Sequence, residues 1–80
     1  NLPVDATLVY FAHGMLHMQF PTEESNRMLH VIDLTGRVVL SKSLHGMGNV
    51  VSVPLQLVNG AYIVRITGET SITSRRIWVK

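Results

Sequence analysis

Apolar and polar side chains alternate with a period of two along most of the chain, the spacing that sends every second residue of a β-strand to the same face. In "GMLHMQF", Leu16, Met18 and Phe20 alternate with Met15, His17 and Gln19, which predicts a half-buried strand. The preceding "TLVYF" is rich in β-formers, and the short turn Ala12-His13-Gly14 between the two makes the first element a hairpin. Residues 21–26 then interrupt the pattern with six polar or turn-forming side chains. "RMLHVID" places Leu29 and Val31 on one face and His30 and Ile32 on the other, and "RVVLSKSL" follows across a turn at Asp33-Leu34-Thr35-Gly36. Gly36 supplies a positive φ without a Cβ clash, and the Asp33 carboxylate can accept from the backbone N–H two residues on. This stretch therefore reads as a second hairpin.

"HGMGN" predicts another turn, "VVSVPL" a short strand, and "VNGAYIVRI" a strand entered after Asn59-Gly60. Tyr62, Val64 and Ile66 share one face there, with Ile63 and Arg65 on the other. Thr67-Gly68-Glu69 turns into the last strand, "TSITSRRIWVK", where Ile72 and Trp78 have a parity that Ile77 and Val79 do not. A bulge near Ser74 or Arg75 is the simplest account. No helical period appears anywhere.

Seven short strands at intervals of about 10 residues predict an all-β fold, a small antiparallel immunoglobulin-like β-sandwich, over residues 7–80. Residues 1–6 read as a linker remnant. The alternation puts Leu16, Met18, Leu29, Val31, Val64, Ile66, Ile77 and Val79 in one core, with Tyr62 largely buried and its hydroxyl at the core edge.

Eighty residues, 46% of them hydrophobic, leave room for one domain with a net stability of about 3–5 kcal/mol. A deep enzyme cleft is hard to hold open on that margin. With no cysteine, neither a disulfide framework nor a thiolate metal site exists. No run approaches the ~18 apolar residues of a membrane helix. The start at Asn1 instead of Met suggests a piece or processed product of something longer, with any export signal on the missing part.

The net charge of +2 hides an uneven distribution. Residues 1–26 carry Asp5, Glu23 and Glu24 with no basic side chain, while residues 27–80 set seven basic side chains against Asp33 and Glu69. Those basic residues are scattered, save Arg75-Arg76, and no aromatic stacking platform is interleaved with them, which argues against nucleic acid as a partner.

Catalytic and metal chemistry fares no better. His13 and His17 have helical metal-ligand spacing, but on a strand four residues span about 13 Å, too far for one ion. His30 and His45 lie on other elements, so all four histidines read as exposed or half-exposed strand and loop residues. There is no G-x-S-x-G elbow, Glu23-Glu24 lacks the second half of a glycosidase site, and Gly46-x-Gly48 precedes no helix. Met15, Met18, Met28 and Met47 read as core and rim packing. The expectation is no catalytic residue, no cofactor and no metal site.

Three segments in this order, "VIDLTGRVV" (31–39), "NGAYIVRI" (59–66) and "RRIWVK" (75–80), resemble the C-terminal sorting domain of the type IX secretion system of Bacteroidota. The resemblance covers residues 7–80. It implies a signal domain appended to large secreted proteins, not an enzyme. Its implied partners are an N-terminally attached cargo domain, the type IX outer-membrane translocon and a sortase-like peptidase that commonly removes the domain and links the cargo to lipopolysaccharide. The implied location is exported: the periplasm in transit, then the outer-membrane surface or the medium.

On the family pattern the recognised residues would be Asp33, Gly36 and Arg37 in the turn, Gly60 and Tyr62 at the start of the sixth strand, and Arg75, Arg76, Ile77, Trp78, Val79 and Lys80 in the last. The Pro-Asn-Pro lead-in of many members is absent, and Arg75-Arg76 stands where Lys is frequent. A last strand lying at a sheet edge would also permit strand-mediated self-association. Two other classes fit a small inert sandwich: an immunoglobulin-like spacer or adhesion module of a surface protein, and a carbohydrate-binding sandwich. The second normally shows a row of exposed aromatics, whereas Trp78, Tyr10, Tyr62, Phe11 and Phe20 are expected mostly to alternate inward.

Overall fold

A computed structural model of the chain describes residues 7–21, 26–69 and 71–80. The acidic pair Glu23-Glu24 and the linker assigned to residues 1–6 lie outside the described residues. Seven strands follow one another: β1 (Leu8–Ala12), β2 (Met15–Gln19), β3 (Met28–Asp33), β4 (Val38–Ser43), β5 (Val50–Pro54), β6 (Gly60–Thr67) and β7 (Ile72–Val79). No helix occurs among the described residues.

The strands form two antiparallel sheets, β1-β2-β5 and β4-β3-β6-β7. The chain crosses between sheets after β2, after β4 and again after β5, a Greek-key path. Lettered in the immunoglobulin manner, the sheets are A-B-E and C′-C-F-G. The predicted immunoglobulin-like sandwich is therefore the observed fold.

Register explains why alternation was a good guide. In the three-stranded sheet the rows Val9, Met18, Val51 and Phe11, Leu16, Val53 point inward; in the four-stranded sheet the row Leu29, Ile66, Thr73 and the pairs Val31, Val64 and Tyr62, Ile77 do so. The eight predicted core residues are all buried, and Leu16, Leu29, Val31 and Val64 have no exposed surface at all. Phe20, Leu44 and Leu55 close the core at its ends. Arg27, also buried, lays its guanidinium 3.9 Å over the Phe20 ring, a cation–π contact that covers one end of the core.

One expectation fails. The β6–β7 register runs without interruption from Thr67 opposite Ile72 to Gly60 opposite Val79, so β7 has no bulge near Ser74 or Arg75. Ile72 and Trp78 instead face outward, 70% and 61% exposed, while Ile77 and Val79 are buried. The register irregularity lies elsewhere, between β3 and β4, where Val31 pairs with Leu40 and Ile32 with Val38. Skipping Val39 lets both Val39 and Leu40 pack against the core.

Candidate functional site

The sandwich gathers the sequence-predicted residues at one of its two ends. Asp33 closes β3 and pairs with Tyr62 on β6, Tyr62 pairs with Ile77 on β7, and Gly60 pairs with Val79. Three segments far apart in sequence thus become neighbours. Gly36 and Arg37 follow directly in the β3–β4 turn, and Arg76, Trp78 and Lys80 lie on or just past the same stretch of β7. Arg75 sits higher, opposite Val64. The His13-Gly14 turn belongs to this end too, because the Gly14 carbonyl accepts from the Leu55 N–H at 3.0 Å, where β5 runs out toward Gly60.

Each loop here has a local cause. In the β3–β4 turn the Asp33 N–H donates to the Arg37 carbonyl and the Gly36 N–H to the Asp33 carbonyl, the bonding of a three-residue hairpin loop that needs a left-handed third residue. Gly36 provides it at φ 91°. A Cβ at that position would meet no atom within 4 Å, so the requirement for glycine is conformational and not steric.

Asp33 Oδ1 accepts from the Thr35 N–H at 2.9 Å, as its position predicted, and also from the Thr35 hydroxyl at 2.6 Å and the Arg37 N–H at 3.0 Å. Arg37 Nε lies 3.3 Å from the other carboxylate oxygen. The Thr35 hydroxyl is the largest cause of a lowered Asp33 pKa, followed by the Arg37 N–H; desolvation opposes them, and the Thr35 N–H and the Arg37 charge add to them. Because the folded value is depressed, the stabilisation is complete above the unfolded-state pKa of about 3.9 and is lost as pH falls through the folded value. Asp33→Asn is therefore expected to be less stable than the native chain at neutral pH, with the gap closing below about pH 4. Denaturation midpoints of both proteins across that range test this, and a gap independent of pH would contradict it.

Tyr62 ties the second loop. Its ring is buried, and its hydroxyl donates to the Val58 carbonyl at 2.6 Å, four residues upstream. Immunoglobulin-type sandwiches use the same device, a tyrosine near the start of the F strand bonding back across the E–F connection. The predicted edge-of-core hydroxyl is thus present, with an acceptor that sequence spacing did not reveal.

β7 is the outer strand of the four-stranded sheet, next to the β1 edge of the other sheet. A groove of about 530 Å³ runs between them, lined by residues 9–14 and by Arg76, Ile77, Trp78 and Lys80. Along β7 the side chains divide cleanly: Thr73, Ile77 and Val79 are buried and Arg75 half-buried, whereas Ile72, Ser74, Arg76 and Trp78 are exposed. The aromatic residues also need correction. Tyr62 and Phe20 are buried and Phe11 is half-buried, but Trp78 and Tyr10 face solvent, 61% and 48% exposed, from the outer faces of different sheets. Tyr10 is stacked on His17 at 4.9 Å, and His17 Nδ1 lies 2.9 Å from Ser52 Oγ. His13 and His45 are exposed and His17 and His30 half-buried, as expected.

Four residues that the sequence reading passed over complete the site. Val38, Ile32, Ala61 and Ile63 lie on the outer face of the four-stranded sheet beside Arg76 and Trp78. The signal was present in the sequence, since Ile32 and Ile63 stand at outward parity on strands whose other face was already assigned to the core.

No curated protein matches the chain. Residues 12–80 match the family described as the secretion system C-terminal sorting domain, a span from the end of β1 through β7 that holds every residue of the gathered end. The chain accordingly belongs to the C-terminal sorting domains of the type IX secretion system, the signals that send an attached cargo across the outer membrane to the cell surface or the medium.

Proposed function

We propose that the secretion machinery reads this sorting signal at the end of the sandwich where the β3–β4 turn, the start of β6 and the last residues of β7 meet. The convergence of Asp33, Tyr62 and Ile77 in one cross-strand row is the observation that carries the reading. Leu8 pairs with Gln19 and Ala12 with Met15, so β1 begins at the end opposite the gathered one and runs toward it.

In this reading the domain is a label and not a catalyst. It carries the cargo through the periplasm to the type IX outer-membrane translocon, and a sortase-like peptidase acts on the delivered protein. Within the recognised end, Gly36, Gly60, Asp33, Tyr62, Ile77 and Val79 hold the surface in shape, while Arg37, Arg76, Trp78 and Lys80 present it. Arg75 and Arg76 on the outer strand discourage casual self-pairing of that edge.

The test is export of an inert periplasmic reporter fused ahead of residues 1–80 in a type IX-competent bacterium. The intact fusion is expected at the surface or in the medium. Charge reversal at Arg37 and Lys80 is expected to lower export, and reversal at Lys42, away from the gathered end, is not. Retention of the intact fusion in the periplasm would replace the sorting reading by the spacer reading. Equal export of all variants would move recognition to another part of the sandwich.

A further inference from the structure

We infer that the outer face of the four-stranded sheet is the docking surface, and that its occupant is a folded component of the secretion machinery presenting an apolar patch bordered by carboxylates. The inference rests on the sorting reading above and deepens it by naming the surface and the partner's chemistry.

Side chains directly opposite each other across antiparallel strands share a face with their Cβ atoms about 5 Å apart. Val38, Ile32, Ile63 and Arg76 form one such row across all four strands, and Ala61 and Trp78 form the next row toward the gathered end. Val38 and Trp78 are 50% and 61% exposed, and Ile32, Ile63 and Ala61 are half-buried. The result is a continuous apolar band. Single exposed hydrophobes are ordinary on a protein surface; a contiguous band crossing a sheet marks an interaction site.

Charge selects the occupant. Arg76 ends the apolar row, and Arg65, exposed on the same face, lies opposite His30 in the next row away from Trp78. Of the acids among the described residues, Glu69 lies in the β6–β7 turn and Asp33 is held within the β3–β4 turn, so neither stands on this face. An apolar band framed by guanidinium groups fits a partner that offers apolar surface and carboxylates together. Trp and Arg are also the residue types that most often dominate binding energy at protein interfaces. The parity conflict in β7 follows from this: Trp78 faces outward because the outer face, and not the core, uses it.

The test uses the same reporter fusion on the full chain. Trp78→Ser and Arg76→Glu should each lower export by about ten-fold or more while melting close to the native domain. Arg76→Lys should retain most export, since it keeps the charge. Tyr10→Ser and Val50→Ser, outward changes on the other sheet, should export normally. Full export of both Trp78→Ser and Arg76→Glu overturns the inference with the sorting reading intact, whereas retention of the native fusion removes the sorting reading itself. An equal loss across both sheets also overturns it, because the machinery would then be responding to stability.

Two measurements on the purified domain separate other occupants. Light scattering that shows a dimer dispersed by Trp78→Ser would place a second copy on the face. Cosedimentation with phosphatidylglycerol-containing vesicles that Arg76→Glu abolishes would place a lipid surface there. Either result overturns the assignment to a protein partner, and a monomer that ignores vesicles supports it.

Discussion

Tyr62→Ala is expected to leave the domain without a cooperative unfolding transition. The ring is 8% exposed and sits between Asp33 and Ile77 in the row that joins β3, β6 and β7. Truncating a buried aromatic to Ala costs about 3–5 kcal/mol through lost burial and the cavity left behind, and a sandwich of this size has a margin of about 3–5 kcal/mol. Tyr62→Phe separates the two contributions of the side chain. It keeps the ring and removes only the donor to the Val58 carbonyl, a loss of about 1 kcal/mol that lowers the melting temperature without abolishing the transition. Thermal denaturation followed by circular dichroism reads both. A native-like melt for Tyr62→Ala would mean that the row is not structural, and an unchanged Tyr62→Phe would mean that the 2.6 Å contact contributes nothing to folding.

The reach of the sequence is set by the range of the interactions involved. Leu29 against His30, or Val64 against Ile63, declares its face through period two, because the pleat is a local property of the backbone. The β3–β4 turn is equally local, which is why Gly36 and the Asp33 to Thr35 bond were foreseeable. Which strands become neighbours is not a local property. That Asp33, Tyr62 and Ile77 share a row depends on Greek-key pairing across 44 positions of chain, and nothing in the residues alone specifies that register. The acceptor of the Tyr62 hydroxyl is only four residues upstream, but which carbonyl it meets is set by the path of the connection between β5 and β6, and alternation does not describe that path.

The error in β7 arises differently. Apolar residues at both parities of the strand, Ile72 and Trp78 against Ile77 and Val79, suggest a bulge wherever large apolar side chains are expected to face inward. The continuous register shows two apolar residues on the solvent side instead. Conflicts between local pattern and global fold concentrate where function overrides packing. In β7 the conflict falls on the strand that carries Arg76 and Trp78, the residues proposed above to present the recognised surface.

Deleting residues 76–80 is expected to unfold the domain, not merely to erase a tag. The deletion removes Ile77 and Val79, 5% and 3% exposed, and with them the pairing of β7 to residues 60, 61, 62 and 63 of β6. Losing two buried aliphatic side chains costs at least about 4 kcal/mol, as much as the whole margin, before the lost ladder is counted. Circular dichroism of the truncated domain should therefore show no cooperative melt, and its amide protons should exchange without protection. Export of a truncated fusion would fail for that reason alone, so such a failure does not identify residues 76–80 as a linear address. Point changes that leave Ile77 and Val79 in place are the informative ones. A truncated domain that still melted cooperatively would reverse this: β7 would then be dispensable for folding, and its last residues could be read as an extended peptide. On the structure, reading and folding are joined in one strand, whose inward side chains hold the sandwich together and whose outward side chains form part of its exposed face.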